Sequence, residues 1–108
     1  MQINIKATKI ELTDELKIYI QKKMDMLDKY LGNFKPISCE VEVGLAIGGQ
    51  KRGKIYRAEV NLDLPGELLR VEKSEKVIQK AIDKTKDHLE IMIKKYKEKR
   101  FDKKKGKV

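Results

Sequence analysis

The sequence has little of what enzymes use for chemistry. Its 108 residues include one cysteine, Cys39, and one histidine, His88, so cysteine and histidine form no cluster at metal-ligand spacing. A single cysteine cannot close an internal disulfide, and Cys39 keeps the alternation of its apolar neighbours, which predicts a buried structural thiol. His88 falls beside lysines on its predicted helix, so no acid–base pair is visible. We therefore expect no catalysis, no metal and no cofactor.

Long apolar runs are also missing. No stretch approaches the roughly 20 residues of a membrane-spanning helix, and the opening residues MQINIKATKIELT lack the apolar segment of a signal peptide. The glycine-rich segment 48–53, GGQKRG, lacks the GxxxxGKS or GxxxxGKT pattern of a phosphate loop and joins two predicted strands, so it is predicted to be a hairpin turn. We expect a cytoplasmic protein without a membrane partner or a small-molecule substrate.

Positive charge is abundant and concentrated. The formal net charge is +9, and the last fifteen residues hold nine lysines and arginines against Glu98 and Asp102. A local cationic surface attracts polyanions, with nucleic acid ahead of anionic membranes. Few aromatic residues are free to stack on bases, which disfavours sequence-specific reading of single strands. Lysine rows instead bind phosphates with little base selectivity, and the alternative is a merely solvated edge.

Hydrophobic periodicity predicts the element order β-α-β-β-β-α. Alternating apolar residues predict strands, and apolar residues at three- and four-residue steps predict helices. The predicted strands cover residues 2–7, 37–47, 56–64 and 68–73. The first helix is predicted over residues 14–31 and ends at Gly32. This order predicts an α+β domain with a mostly antiparallel four-stranded sheet, both helices on one face and an acidic outer face. Residues 1–100 would form the domain, and residues 101–108 a basic, flexible tail.

The long last helix is predicted to start at Ser74, a good N-cap residue, with Glu75 in its first turn. Its predicted buried face comprises Ile78, Ala81, Ile82, Thr85, Leu89, Met92 and Tyr96. Beside this face runs a cationic row of Lys80, Lys84, His88, Lys95 and Lys99. The first helix carries Lys22, Lys23 and Lys29 on its own flank. If the helices pack side by side, the two rows would line one groove suited to an RNA backbone.

The chain resembles the short ribosome hibernation factors from its first residue to about Arg100. The resemblance is carried by MQINI, the helix ELTDELKIYIQKKMDMLDKY, the segment YRAEVNLDLPGELLRVE and the final AID…DHLE…KKYKEK helix, in order and at matching spacing. It implies a β-α-β-β-β-α fold, like a double-stranded-RNA-binding domain with an added first strand. It also implies binding to the small ribosomal subunit in the tRNA and mRNA channel and arrest of translation in stationary phase or stress, without catalysis.

The resemblance also implies which residues contact ribosomal RNA. The matching basic residues are Lys23 and Lys29 on the first helix and Lys95 and Lys99 on the last. Relatives often carry basic residues where this chain has Met26, His88 and Ile91, and Lys22, Lys84 and the basic tail are expected to compensate. The full expected set is Lys22, Lys23, Lys29, Lys84, His88, Lys95 and Lys99. Long members add a dimerisation domain that joins two ribosomes. This chain ends before one, so the resemblance implies that it acts on single ribosomes or helps a partner factor and does not bridge two ribosomes by itself.

Two other functions stay open at this point. A general double-stranded-RNA-binding module would use the start of the last helix, which reads SEKVIQK and is weakly basic, and a loop between strands, where Lys51, Arg52 and Lys54 lie. A protein-interaction domain would use the basic tail only for solubility, and deletion of residues 101–108 would then leave RNA binding unchanged.

Overall fold

The computed structural model describes residues 1–46 and 53–105, with side chains up to Arg100. The elements of this part are β1 (Asn4–Thr8), α1 (Asp14–Asp25), α2 (Asp28–Leu31), β2 (Ser38–Leu45), β3 (Tyr56–Leu64), β4 (Glu67–Glu75) and α3 (Ile78–Lys105). The predicted turn at residues 48–53 and the end of the predicted second strand at Ile47 fall largely outside the described residues. No helix in the described ranges is long and apolar enough to cross a membrane.

The four strands form one mixed sheet in the order β1-β2-β3-β4. The β2–β3 and β3–β4 pairs are antiparallel, whereas β1 runs parallel to β2. Parallel neighbours need a crossover connection, and α1 with α2 supplies it. The predicted α+β fold with a mostly antiparallel sheet is therefore confirmed.

The core lies between one face of the sheet and the helices. Alternate strand residues, such as Val41, Val60 and Val71, are at most 3% exposed. The predicted buried face of α3 is confirmed at Ala81, Ile82, Thr85, Leu89 and Tyr96, while Ile78 and Met92 are only partly buried. Ile93, which was not predicted, is fully buried. At 100° per residue Ile93 lies on the same side of the helix as Leu89, so it belongs to the same buried face.

The predicted start of the last helix is wrong. Ser74 and Glu75 belong to β4, where they pair with Arg57 and Tyr56 across the antiparallel ladder. The helix begins at Ile78. The carbonyl of the preceding residue, Val77, accepts the first hydrogen bonds from the amides of residues 80 and 81, at 3.1 and 3.2 Å. The pairing with β3 holds the backbone extended past the residue that resembles an N-cap. At its other end α3 continues through residues 101–105, beyond the predicted domain boundary at residue 100.

The first predicted helix is interrupted. α1 ends at Asp25 and α2 starts at Asp28, because the Leu27 amide turns back to the Met24 carbonyl, 3.0 Å away, three residues earlier. Asp25 and Asp28 both accept hydrogen bonds from the ammonium group of Met1, at 3.1 and 3.2 Å. The predicted cap at residue 32 is confirmed, since that glycine ends α2 with φ at 58°.

The outer face of the sheet is polar, as predicted. Arg57 on β3 lies within 3.6 Å of carboxylate oxygens of Glu42, Glu59 and Glu72. Asn4 and Thr8 on β1 donate to Glu40 and Glu42, each at 3.0 Å. These contacts cross-link the strands on the side away from the helices, so most carboxylates of this face already have partners.

Candidate nucleic-acid interface

The predicted row on α3 lies along the edge of the helix nearest β4. Its five members are all exposed: Lys80, Lys84, His88, Lys95 and Lys99. The Lys84 ammonium binds Glu75 at the end of β4 at 2.9 Å, and the Lys99 ammonium lies 3.8 Å from Glu67 at the start of β4. All five side chains of the row are thus exposed, but two of the five contact carboxylates.

A shallow groove accompanies the first part of this row. It is lined by Lys73 from β4 and by Lys84, Asp87, His88 and Ile91 from α3. Ile91, which is 52% exposed, puts an apolar surface among these polar side chains.

On α1 the two predicted lysines differ. Lys22 is exposed, whereas the Lys23 ammonium lies 3.2 Å from the carboxylate of Asp83 on α3 and 5.4 Å from the ring centroid of Tyr19. The Tyr19 hydroxyl donates to the same carboxylate at 2.5 Å. Burial, followed by this hydrogen bond and the charge of Asp83, raises the pKa of Tyr19 to about 12. Lys23 therefore takes part in a polar contact between the helices.

The structure does not bring the two predicted rows into one groove. α1 and α3 do pack together, but the side of α3 that contacts the first helix region carries Asp83, Lys94 and Lys97. Lys84 and Lys99, in contrast, contact β4. The row of the first helix region therefore lies beside one flank of α3, and the row of α3 lies on the flank that faces the sheet edge. The described contacts do not join the two rows in one groove between the helices.

Lys94 and Lys97 on α3 and Lys29 on α2 all lie beside Tyr30. The Lys29 and Lys94 ammonium groups each lie 5.2 Å from the centroid of the Tyr30 ring, and Lys97 donates to the Tyr30 carbonyl at 2.8 Å. Sequence reasoning included Lys29 but missed Lys94 and Lys97. Their spacing of three residues puts them on one side of α3, but nothing in the sequence joins that side to Tyr30.

The basic residues thus divide into two groups. Lys23, Lys84 and Lys99 have a carboxylate within 4 Å, as does Lys86, whose ammonium lies 2.8 Å from both Asp87 and Glu90. Hydrogen bonds to those two carboxylates raise the pKa of Lys86. A second group of helix lysines makes no ion pair with any described side chain: Lys17, Lys22, Lys29, Lys80, Lys94, Lys95 and Lys97. On the helices, a polyanion meets positive charge without a competing carboxylate at this second group.

The residues considered for chemistry take no part in a reactive site. Cys39 is 1% exposed, and burial, with a smaller contribution from the charge of Glu40, raises its pKa to about 12. The predicted structural thiol is confirmed. In the described ranges no three histidine, cysteine, aspartate or glutamate side chains are arranged to hold a metal ion.

Residues 3–100 match the family model described as sigma 54 modulation protein / S30EA ribosomal protein. The chain belongs to this family. Among curated S30EA relatives, the ribosome hibernation promotion factor of Lactococcus lactis is 31% identical over 97 residues, covering 90% of this chain and 50% of that protein. The factor of the same name from Deinococcus radiodurans is 29% identical over 98 residues, with the same two coverages of 90% and 50%. The chain therefore spans about half the length of these relatives.

Solved structures of two other proteins share the fold. The Protein Y N-terminal domain of Thermus thermophilus has 33% identity and a TM-score of 0.72, covering 89% of this chain and 99% of that domain. A ribosomal subunit interface protein from Coxiella burnetii has a TM-score of 0.70 at 18% identity, covering 90% of this chain and 98% of that one; at this identity the likeness concerns the fold alone. The resemblance drawn from the sequence is confirmed.

Proposed function

We propose that this S30EA domain binds the small ribosomal subunit and inhibits translation by occupying the channel used by tRNA and mRNA. Family membership supports the ribosome as partner, and a ribosome-bound role corresponds to a cytoplasmic location. The carrying observation is the group of exposed lysines on α1, α2 and α3 that no described carboxylate neutralises. These include Lys22, Lys29 and Lys95 from the set expected from sequence.

The proposed mechanism is steric and electrostatic. Ammonium groups on the helical side contact ribosomal RNA phosphates and release counterions, while the bulk of the domain excludes tRNA and mRNA. No bond is made or broken. The outer face of the sheet, where carboxylates outnumber basic residues, faces away from RNA, because like charges repel across a short distance. Lys84, His88 and Lys99 complete the contact set, with Lys84 and Lys99 exchanging Glu75 and Glu67 for phosphates.

Cosedimentation with purified ribosomes and separated subunits tests this proposal. We expect the wild type to travel with the small subunit and Lys95→Glu to be weakened by at least tenfold. Lys6→Glu is the matched control, because it makes the same charge change on the outer face of the sheet. Lys22→Glu/Lys95→Glu should remain at the top of the gradient. Lys23 is a poorer choice than Lys22, since Lys23→Glu would put two carboxylates beside each other at Asp83 and disturb the fold.

Salt dependence supplies a second readout. If roughly six phosphates are engaged, the slope of log affinity against log salt is about −4 to −5. A slope near zero contradicts the electrostatic mechanism. Equal loss of binding in Lys95→Glu and Lys6→Glu contradicts the assignment to the helices. Binding of wild type to RNA duplex but not to ribosomes favours the general double-stranded-RNA module, in which exposed Lys54 would contribute.

A further inference from the structure

The corner between α2 and α3 brings three positive charges to one tyrosine, two to its ring and one to its backbone carbonyl. Lys29 lies on α2 beside Tyr30, and Lys94 and Lys97 reach the same tyrosine from α3. Each ammonium lies 5.2 Å from the ring centroid, so Lys29 and Lys94 are separated by at most twice that distance, roughly the 10 Å Debye length of 0.1 M salt. We call Lys29, Tyr30, Lys94 and Lys97 the Tyr30 cluster.

Other lysines on α3 or beside it have a carboxylate partner. The ammonium groups of Lys23, Lys84, Lys86 and Lys99 each lie within 4 Å of an aspartate or glutamate carboxylate. The Tyr30 cluster has no such carboxylate among the described side chains. Like charges held close together destabilise a folded chain unless an anion joins them. At the described contacts between α3 and its neighbouring elements, the Tyr30 cluster thus gathers positive charges without a carboxylate beside them.

We propose that the Tyr30 cluster is an anion subsite that holds one phosphodiester group of ribosomal RNA. This inference rests on the proposed function and adds Tyr30, Lys94 and Lys97 to the contact set expected from sequence. It also makes Lys29 part of this subsite and not of a row along the first helix.

The geometry of Lys97 suits this role. Its ammonium is held by the Tyr30 carbonyl at 2.8 Å, and its side chain is half-buried. An ammonium has three donors, so two remain for phosphate oxygens after this hydrogen bond. Lys29 and Lys94 are exposed and retain their contact with the ring face. Contact with the ring restricts both long side chains, which lowers the conformational entropy that binding would otherwise cost.

A double-mutant cycle tests whether Lys29 and Lys94 share one ligand. Affinity for small subunits would be measured for Lys29→Gln, Lys94→Gln and the double variant across a range of salt. Each single change should weaken binding several-fold and reduce the salt slope by about 1. If both lysines hold the same phosphate, the double variant loses less than the product of the single losses.

The matched cycle pairs Lys94 with Lys80, which lies roughly 21 Å earlier on α3. These two should act independently, whatever the effect of Lys80→Gln alone. Lys94→Arg keeps the charge and should bind within about twofold of wild type. Lys6→Gln on the outer sheet face measures the effect of net charge alone. Melting temperatures of all variants would show that each is folded under the assay conditions.

The outcomes separate this inference from the proposed function. If the wild type fails to bind the small subunit at all, the proposed function is wrong. If the wild type binds and Lys94→Gln behaves like Lys6→Gln, the function stands and the subsite is refuted. A shared phosphate would also be refuted if the losses of binding for Lys29→Gln and Lys94→Gln add strictly in the double variant, as those for Lys80→Gln and Lys94→Gln are expected to do.

Discussion

Replacing Asp83 with asparagine should have opposite effects on stability and on RNA binding. The carboxylate of Asp83 accepts a hydrogen bond from the Tyr19 hydroxyl at 2.5 Å and lies 3.2 Å from the Lys23 ammonium. The asparagine side chain would keep the size and an acceptor oxygen but lose the charge. Because the Asp83 side chain is 40% exposed and that of Lys23 21%, solvent screens the pair, and the loss should be about 1 kcal/mol. The melting temperature should fall by roughly 5 °C.

Binding should strengthen in the same variant. Lys23, released from its carboxylate, becomes available to phosphates, so the salt slope should become steeper by roughly 0.7 to 0.9. Affinity for the small subunit at low salt should rise several-fold. Glu11→Gln is the matched control, because it removes one negative charge from an exposed position that makes no ion pair with a described side chain. It measures how much of the gain comes from net charge alone.

A spectroscopic titration checks the contact itself. The pKa of Tyr19 is raised to about 12, first by burial and then by Asp83. In Asp83→Asn the contribution of burial remains and that of the charge is lost, so phenolate absorbance should appear at lower pH. A folded-state pKa above the unfolded value of about 10 means that this stabilisation is complete below pH 10 and is lost as pH rises towards 12. The wild type should therefore lose stability across this window, and Tyr19→Phe should lose less.

One result would refute this reasoning. If Asp83→Asn stays folded at the assay temperature but binds the small subunit more weakly than Glu11→Gln, then Asp83 positions Lys23 for RNA and does not withhold it.

Three further outcomes follow from the core and the turns. Cys39 should not react with a disulfide reagent at about pH 8 until denaturant unfolds the chain, because it is 1% exposed and its pKa is raised to about 12. Fast reaction of the native protein would contradict its burial. Gly44→Ala should cost about 1–3 kcal/mol, since a Cβ there would lie 2.5 Å from the Thr8 carbonyl oxygen; faster amide exchange confined to β1 would locate the damage. Tyr96→Phe should lower the free energy of unfolding in urea by only about 1 kcal/mol. The Pro65 carbonyl accepts from Tyr96 at 2.6 Å and also from Arg100 at 2.7 Å, so it keeps one donor. A loss above about 3 kcal/mol would show that this carbonyl is left unsatisfied.

The element order was predictable because periodicity depends on local sequence. Alternation identified the strands, and the three-four spacing identified the buried face of α3, including Thr85 and Tyr96. The errors arose where distant parts of the chain decide local structure. Ser74 has the chemistry of an N-cap, but its pairing with Arg57 keeps it extended. The break between α1 and α2 lies where Met1 contacts Asp25 and Asp28, and no glycine or proline in the sequence marks it.

The candidate site was predictable only as a set of exposed lysines. Helical spacing placed Lys22, Lys95 and their neighbours on the surface, which needs no knowledge of tertiary contacts. Whether a lysine is neutralised depends on a partner such as Asp83, which lies far from Lys23 in the sequence and beside it only in the fold. For the same reason sequence periodicity did not join Lys94 and Lys97 to Tyr30.

The parallel pairing of β1 has a consequence for folding and aggregation. β2, β3 and β4 form a meander of neighbouring antiparallel strands. In contrast, Asn4 on β1 and its partner Glu40 on β2 are 36 residues apart in the sequence. Because this pairing closes the longest loop between strands, β1 is expected to join the sheet late. Until then the edge of β2 is uncovered, and its alternating apolar residues Cys39, Val41 and Val43 lie on a strand free to pair with another chain. The five residues of β1 thus protect the domain from edge-to-edge association, and the Met1 ammonium, held between Asp25 and Asp28, helps to keep this strand in place.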